Sequence, residues 1–418
     1  MKMQCNPMSS MTSKQEPGFF EAFLIDPFPL FAQLRTMGAV MPMPFPTIGE
    51  QKAWMVTRLE EAFQVLKNSE RFTVNAAAVL GNTPAQYRPG AEYFNSLGNS
   101  MLSVDGLDHK RLRGLVSKVF TPRYIQDLRP NIQQIADNLI NQVIDQGTME
   151  MVSDFAFPLP INVISDMLGV PHESWDILRA GSRAIIDGGA MTQDEHVLAN
   201  TRHKMKAYND YIRDLVAEKR RHPADDLISQ LVQIEEEGDR LGEIELLSMI
   251  GLLILAGHET TSNLIGTGML ALFDHPEQMD RLQADLSMVP SAVEELLRFA
   301  GPVLVSAPRL ATQDLELGGQ QISRGDIIMP ILTSANRDEL HFTNADDLDL
   351  ARKINRHLAF GYGIHVCLGA PLARLEGDIA FTTLLRRLPN VRLNVPREEI
   401  AWRGALNVRG LTSLPIDF

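Results

Sequence analysis

Cysteine is nearly missing from this chain: Cys5 and Cys367 are the only two in 418 residues, which excludes a disulfide framework and fits a reducing cytoplasm. Positive charge is short as well. With 39 Lys and Arg against 52 Asp and Glu the net charge is −13, and a general nucleic-acid binder, which must neutralise phosphates with basic clusters, is excluded. Residues 1–17 are polar and carry neither an apolar secretory core nor an anchor, so a disordered arm is expected there. Long apolar runs are also scarce. The one stretch with the length to span a bilayer, 246–273, is broken at its centre by His258, Glu259, Thr260, Thr261, Ser262 and Asn263. One acidic residue at mid-membrane costs about 2.5–3.5 kcal/mol, so a helix crossing a protein interior is expected instead. No Gly/Ser linker, low-complexity tract or internal repeat divides the chain. Length alone suggests about two or three domains, but 44% hydrophobic residues without a seam point to one large unit over 18–418 with a small β-rich lobe.

What is present is mostly helical. Between about 120 and 300 the apolar periodicity is that of helices, interrupted at Pro122, Pro158, Pro160, Pro171, Pro223 and Pro276. A helix is predicted over 59–66 and strands over 52–57, 326–332 and 391–395, with a hairpin over 315–322 turning at Gly318-Gly319. Residues 71–100, with Gly81, Pro84, Pro89 and Gly90, read as a long irregular loop of the kind that covers a site. Gly188-Gly189 between helical runs suggests a lid hinge or a tight turn.

The densest chemistry surrounds the second cysteine, in Phe360-Gly361-Tyr362-Gly363-Ile364-His365-Val366-Cys367-Leu368-Gly369. A cysteine thiolate can hold haem iron axially and, by donating electrons, favours O–O cleavage. Gly361, Gly363 and Gly369 would let the chain approach a flat macrocycle, backbone N–H groups and the helix beginning near Pro371 would stabilise the sulfur's charge, Phe360 would cover the sulfur's side of the ring and His365 would reach a haem propionate. The plain alternative is a buried, inert cysteine.

A second constellation, Ala256-Gly257-His258-Glu259-Thr260-Thr261, puts an acid and a hydroxyl in mid-helix, where they are costly without a purpose. A carboxylate-to-hydroxyl relay suits oxygen activation, which consumes protons; Gly257 would admit a ligand close to the helix, and Thr260 could bond a carbonyl one turn back. A helix kink stabilised by polar side chains and water is the alternative. Glu295 and Arg298, at i and i+3, form either a surface pair or a buried cross-link.

Phe360-x-x-Gly363-x-His365-x-Cys367-x-Gly369, followed by Ala370-Pro371-Leu372-Ala373-Arg374, resembles the haem-binding signature of the cytochrome P450 enzymes in its soluble bacterial form. The 256–261 segment is similar to that family's oxygen-binding helix, and Glu295, Arg298 and Arg352 to its buried Glu/Arg/Arg network, all in family order. The resemblance implies a mainly α, prism-like fold with haem b (iron protoporphyrin IX) between the long central helix and the cysteine-loop helix. It assigns Cys367 to the iron and His109, Arg113, Ala256, Gly257, Arg309, His357, Phe360, Gly361, His365 and Gly369 to the cofactor, with Glu259 and Thr260 as acid and alcohol of the proton relay. By analogy Val79, Leu80, Leu252, Leu255, Val303, Val305 and Leu406 contact substrate. The implied activity is insertion of one oxygen atom from O2 into a C–H or C=C bond of an apolar small molecule by a cytoplasmic monomer. Lys110, Arg111, Lys118 and Arg123 form either a solvated helix face or a patch for an acidic electron-transfer protein. An external ferredoxin or flavodoxin with an NAD(P)H-dependent reductase is implied. One rival is a peroxide-driven peroxygenase, which would not need the acid–alcohol pair. Another is a non-catalytic metal-binding protein using Cys367 with His365 or His357, which a zinc site's need for three or four ligands disfavours.

Overall fold

The broken apolar run becomes the longest helix in the protein. In the computed structural model, which describes residues 25–43, 51–81, 97–187, 195–236, 241–353 and 356–418, it spans Glu243–Asp274 and is buried along most of its length. The expected N-terminal arm, the Gly188-Gly189 hinge and most of the irregular loop lie outside the described residues.

Ten helices frame the site: α1 (Phe28–Met37), α2 (Leu59–Lys67), α3 (Gly106–Val116), α4 (Arg129–Val143), α5 (Pro158–Leu168), α6 (Trp175–Asp187), α7 (Glu195–Arg221), α8 (Glu243–Asp274), α9 (Val289–Ala300) and α10 (Ala370–Arg387). Three of the prolines read as breaks open helices: Pro158 begins α5, while Pro122 and Pro276 begin the helices Pro122–Asp127 and Pro276–Ala284. There the missing N–H has no helical partner to lose. α8 packs on α5, α9 and α10, and their apolar faces merge into one core with residues such as Ile164, Leu264, Leu296 and Phe381.

The strands are short. β1 (Val40–Pro42), β2 (Ala53–Val56), β3 (Phe72–Thr73), β5 (Arg309–Ala311) and β8 (Ile327–Pro330) form one sheet in the order β1-β2-β8-β5-β3, with β2 parallel to β8. β4 (Thr148–Glu150), β12 (Pro415–Asp417) and β9 (Arg392–Leu393) form a second, while β6 (Leu315–Leu317) and β7 (Gln320–Ile322) make the expected hairpin. β10 (Trp402–Gly404) and β11 (Arg409–Leu411) make another, tied to the segment after α9 by the Val303–Val408 bridge and by Leu304 N donating to Asn407 O at 2.9 Å.

A charged brace fixes α9. Arg298 and Glu295 are both fully buried. Arg298 Nε donates to Glu295 Oε2 at 2.8 Å and Nη2 to Oε1 at 2.7 Å, while its other N–H groups reach the carbonyls of Asn336, Ala345 and Asp347. Arg352 Nε adds contacts of 3.1 and 3.0 Å to the same carboxylate. A pair worth little on a surface is here a cross-link between α9 and the chain leading to the cysteine loop.

Candidate active site

A cavity of about 280 Å³ opens between α8 and the cysteine loop. From α8 it takes Leu252, Leu253, Ala256, Gly257, Thr260, Thr261 and Leu264, one face of a helix at i, i+3, i+4 spacing. Phe360, Gly361, His365, Cys367 and Gly369 face it from the loop, Leu372 and Glu376 from α10, and His109 and Arg113 from α3. The lining is otherwise largely apolar.

The loop is held by its own backbone. Cys367 N donates to Phe360 O at 2.9 Å, and the N–H groups of Gly369 and Ala370, at the start of α10, point at the sulfur. Burial pushes the Cys367 thiol pKa up, and those N–H groups and the Arg113 charge oppose it. The accessible surface of Cys367 is cavity surface; protein encloses the sulfur elsewhere. Gly363 has φ +76°, and a Cβ there would sit 2.3 Å from Leu66 O, so this glycine serves the packing of the loop on α2. Gly257 likewise makes room for a neighbour. A Cβ there would lie 2.5 Å from Ile164 Cγ1, so the residue read as an opening for a ligand also lets α5 pack close to α8.

Donors without acceptors gather near the loop. Among the described residues, Arg309, on β5 and 2% exposed, has Nε and Nη1 without hydrogen-bond partners, as does His109 Nε2; Arg309, unlike His109, is outside the cavity lining. Burial lowers the pKa of Arg309, with Asp105 opposing, and that of His109 to about 4, with the His365 and Arg113 charges adding to the effect. His365 Nε2 lies 2.8 Å from Asp105 Oδ1, and its ring meets that of His109 edge-on at 4.4 Å. A thiol, a largely apolar slot and buried nitrogen groups with no partner among the described residues fit a flat, iron-bearing group that carries carboxylates, and haem b is such a group. His357 does not join them. Its Nε2 lies 3.2 Å from Glu294 Oε2 while Nδ1 accepts from Ala359 N, and it is outside the cavity lining. Glu294 also takes Arg374, whose guanidinium lies 4.5 Å over the Phe360 ring. Burial alone would raise Glu294, but these hydrogen bonds outweigh it and bring its pKa to about 2.

Glu259 and Thr260, adjacent in sequence, leave α8 about 100° apart. Thr260 faces the cavity and its Oγ1 donates to Ala256 O at 3.0 Å, the back-bond expected of it. Glu259 leaves from the far face, 1% exposed, with Arg403 Nη2 of β10 at 2.8 Å and Arg183 Nε of α6 at 3.7 Å. Burial would raise its pKa, but the Arg403 charge, then His258, hold it below the usual carboxylate range. Nothing in the sequence near 403 or 183 announces this pairing.

Of the residues expected against substrate, Leu252 and Val303 line the cavity. Val79, Leu80, Leu255, Val305 and Leu406 are outside its lining; Val305 bridges to Ile331, and Leu406 packs with Phe31, Leu304 and Ile331. Sequence reading missed Met101, Phe120, Leu297 and Glu376. Glu376 did carry a signal, since it sits between Leu372 and Ile379 on the apolar stripe of α10.

Residues 194–395 match the family model described as Cytochrome P450. A Bacillus subtilis (strain 168) protein named Cytochrome P450 is 44% identical over 398 residues, covering 95% of each chain. The polyketide biosynthesis cytochrome P450 PksS of the same organism is 40% identical, over 92% of this chain and 91% of that one. The crystal structure of the myxobacterial cytochrome P450 CYP267B1 in complex with myristic acid superposes with a TM-score of 0.88 at 38% identity, covering 96% of this chain and 98% of that one. By its cavity, its cysteine loop and these likenesses, the chain belongs to the cytochrome P450 family.

Proposed function

We propose the following division of labour within a haem-thiolate monooxygenase that inserts one oxygen atom from O2 into an apolar small molecule. Cys367 ligates the iron. His109, Arg113, Arg309 and His365 hold the haem carboxylates, an assignment supported by the unpartnered donors of Arg309 and His109. When bound, the haem supplies reductive activation of O2, which thiolate ligation favours. Thr260 Oγ1 presents a hydroxyl to the cavity. Glu259 acts at one remove, as a carboxylate kept charged by Arg403 and Arg183.

The largely apolar lining supports a substrate held by burial with few hydrogen bonds, of polyketide, macrolide, terpenoid, steroid or fatty-acyl type. Family members use O2 and a redox partner; here we assign a separate ferredoxin or flavodoxin with an NAD(P)H-dependent reductase, and a monomer acting in the cytoplasm. The observation that carries the reading is Cys367, with two backbone N–H groups aimed at its sulfur beside carboxylate-seeking donors. The reduced carbon-monoxide spectrum tests it: the red-shifted thiolate band is expected in the wild type and lost in Cys367→Ala, and a colourless preparation from haem-replete cells would overturn it. Turnover with peroxide alone that equals turnover with a reductase would favour a peroxygenase.

A further inference from the structure

A second cavity, of about 540 Å³, lies at the C-terminal end of α8 and shares no lining residue with the one beside the cysteine loop. Phe28, Pro29 and Ala32 of α1, Leu270 and Ala271 of α8 and Phe299 of α9 supply its apolar wall. Arg409 of β11 enters that wall, 7% exposed. Its guanidinium lies 3.5 Å from the centre of the Trp402 ring and 5.6 Å from that of Phe28.

The cavity's other arginines and its aspartates are engaged. Arg397 Nε and Nη2 hold Asp274 at 2.8 and 3.0 Å, while Arg337 Nη1 lies 3.3 Å from Asp346 and its Nη2 donates to Phe299 O at 2.9 Å. Asp26 Oδ1 accepts from Phe28 N at 3.2 Å, at the start of α1. Arg409 is left with a neutral acceptor: Nη2 donates to Ile25 O at 2.8 Å, and Nε has no hydrogen-bond partner among the described residues. Trp402 Nε1 has none there either. Burial lowers the Arg409 pKa to about 9, with the Asp26 charge opposing and those of Arg337 and Arg397 adding to the effect. A buried guanidinium without a carboxylate is costly, and aromatic faces offset only part of that cost. An anion from outside would offset the rest, and a carboxylate matches the planar fork of donors. Apolar walls call for an apolar body behind that carboxylate.

The backbone of the same residue reaches the active site. Arg409 N donates to Pro302 O at 2.9 Å and its neighbour Val408 bridges to Val303, and both Pro302 and Val303 line the cavity beside the cysteine loop. We propose that the second cavity is an effector site for a small apolar monocarboxylate, whose carboxylate pairs with Arg409 and whose presence is felt at the active site through Pro302 and Val303. Binding here is independent of the monooxygenase reading, while the coupling rests on a bound haem, and the two are measured separately.

Benzoate serves as the probe, and benzamide, of the same shape without the charge, as its control. By calorimetry on the haem-loaded full chain, benzoate should bind about tenfold or more tightly than benzamide, and Arg409→Gln should erase the difference. Ala32→Phe, which fills the cavity from α1 and leaves Arg409 in place, should abolish benzoate binding, and it keeps the experiment decisive if Arg409→Gln does not fold. Saturating benzoate should shift the affinity for phenylimidazole, a haem ligand that fills the active-site cavity, by about fivefold or more in the haem spectrum. That shift should vanish in Ala32→Phe. No benzoate binding, equal binding of benzamide, or binding unchanged in Ala32→Phe overturns the site. An unshifted phenylimidazole affinity overturns the effector role, and so does a shift that persists in Ala32→Phe, because it places benzoate beside the haem. A wild type without the red-shifted carbon-monoxide band overturns the monooxygenase reading instead, and calorimetry on the haem-free chain still decides the site.

Discussion

Behind the cysteine helix, Glu295 has Arg298 on both oxygens, Arg352 beside them and the Asp349 N–H at 3.0 Å; on the cysteine helix itself, Glu376 is almost as deeply buried and has neither oxygen bonded among the described residues. The first is ion-paired and ties three segments together. The second has its pKa raised by burial to about 8 and ties nothing among the described residues. Burial alone therefore does not set a carboxyl's role; the placement of arginines does. Glu259 falls on the charged side of this divide, since Arg403 and Arg183 reach it across the far face of α8.

Removing a partner from the charged side should have the largest effect. Arg298→Leu leaves Glu295 buried without its main counter-ion and should cost about 3–5 kcal/mol by denaturant unfolding; a loss below about 1 kcal/mol would place the brace with ordinary surface pairs. Glu376→Gln should act in the opposite direction. The folded pKa of Glu376, about 8, lies above its unfolded value of 4.5, so the stability linked to its proton is complete below 4.5 and is lost as pH rises through 8. At pH 7 the cost approaches about 3 kcal/mol, from about 2.5 pH units at 1.36 kcal/mol each. The stability of Glu376→Gln relative to wild type should therefore grow between pH 5 and pH 8, and a flat difference would mean that Glu376 has an unseen partner. Arg403→Leu should be milder, about 2 kcal/mol, because Arg183 remains 3.7 Å from Glu259. Its infrared signature should be a Glu259 carboxyl that protonates at higher pH than in the wild type. Smallest of all, Thr260→Ala should change stability by less than about 1 kcal/mol, since one back-bond to Ala256 is lost.

What could be read from sequence was whatever lay close together along it. The cysteine loop, the 256–261 helix and the Glu295–Arg298 pair each concentrate their chemistry within ten residues or fewer, and the helices and strands between prolines and glycines fell near their expected places. Long-range partners escaped. His357 is assigned to the cofactor by the resemblance, and nothing along the sequence announces that its ring meets Glu294, 63 residues upstream. Arg403 is 144 residues from Glu259, and its Trp402-Arg403-Gly404 setting is that of any exposed hairpin. Glu376 was hidden differently: among Arg374 and Asp378 it reads as part of a polar surface, and only its register with Leu372 and Ile379 places it inside.

The β10–β11 hairpin holds two controls on one short ribbon. Its turn end is fastened to the cavity wall, through the Val303–Val408 bridge and through Arg409 N donating to Pro302 O at 2.9 Å, while Arg403, one residue farther along β10 and paired with Gly410, grips Glu259. Selection or engineering that reshapes the wall for a bulkier guest would tug on the same ribbon and loosen the grip. New substrate scope gained at this wall should therefore come with wasted reducing power, unless the Arg403 contact is redesigned in step.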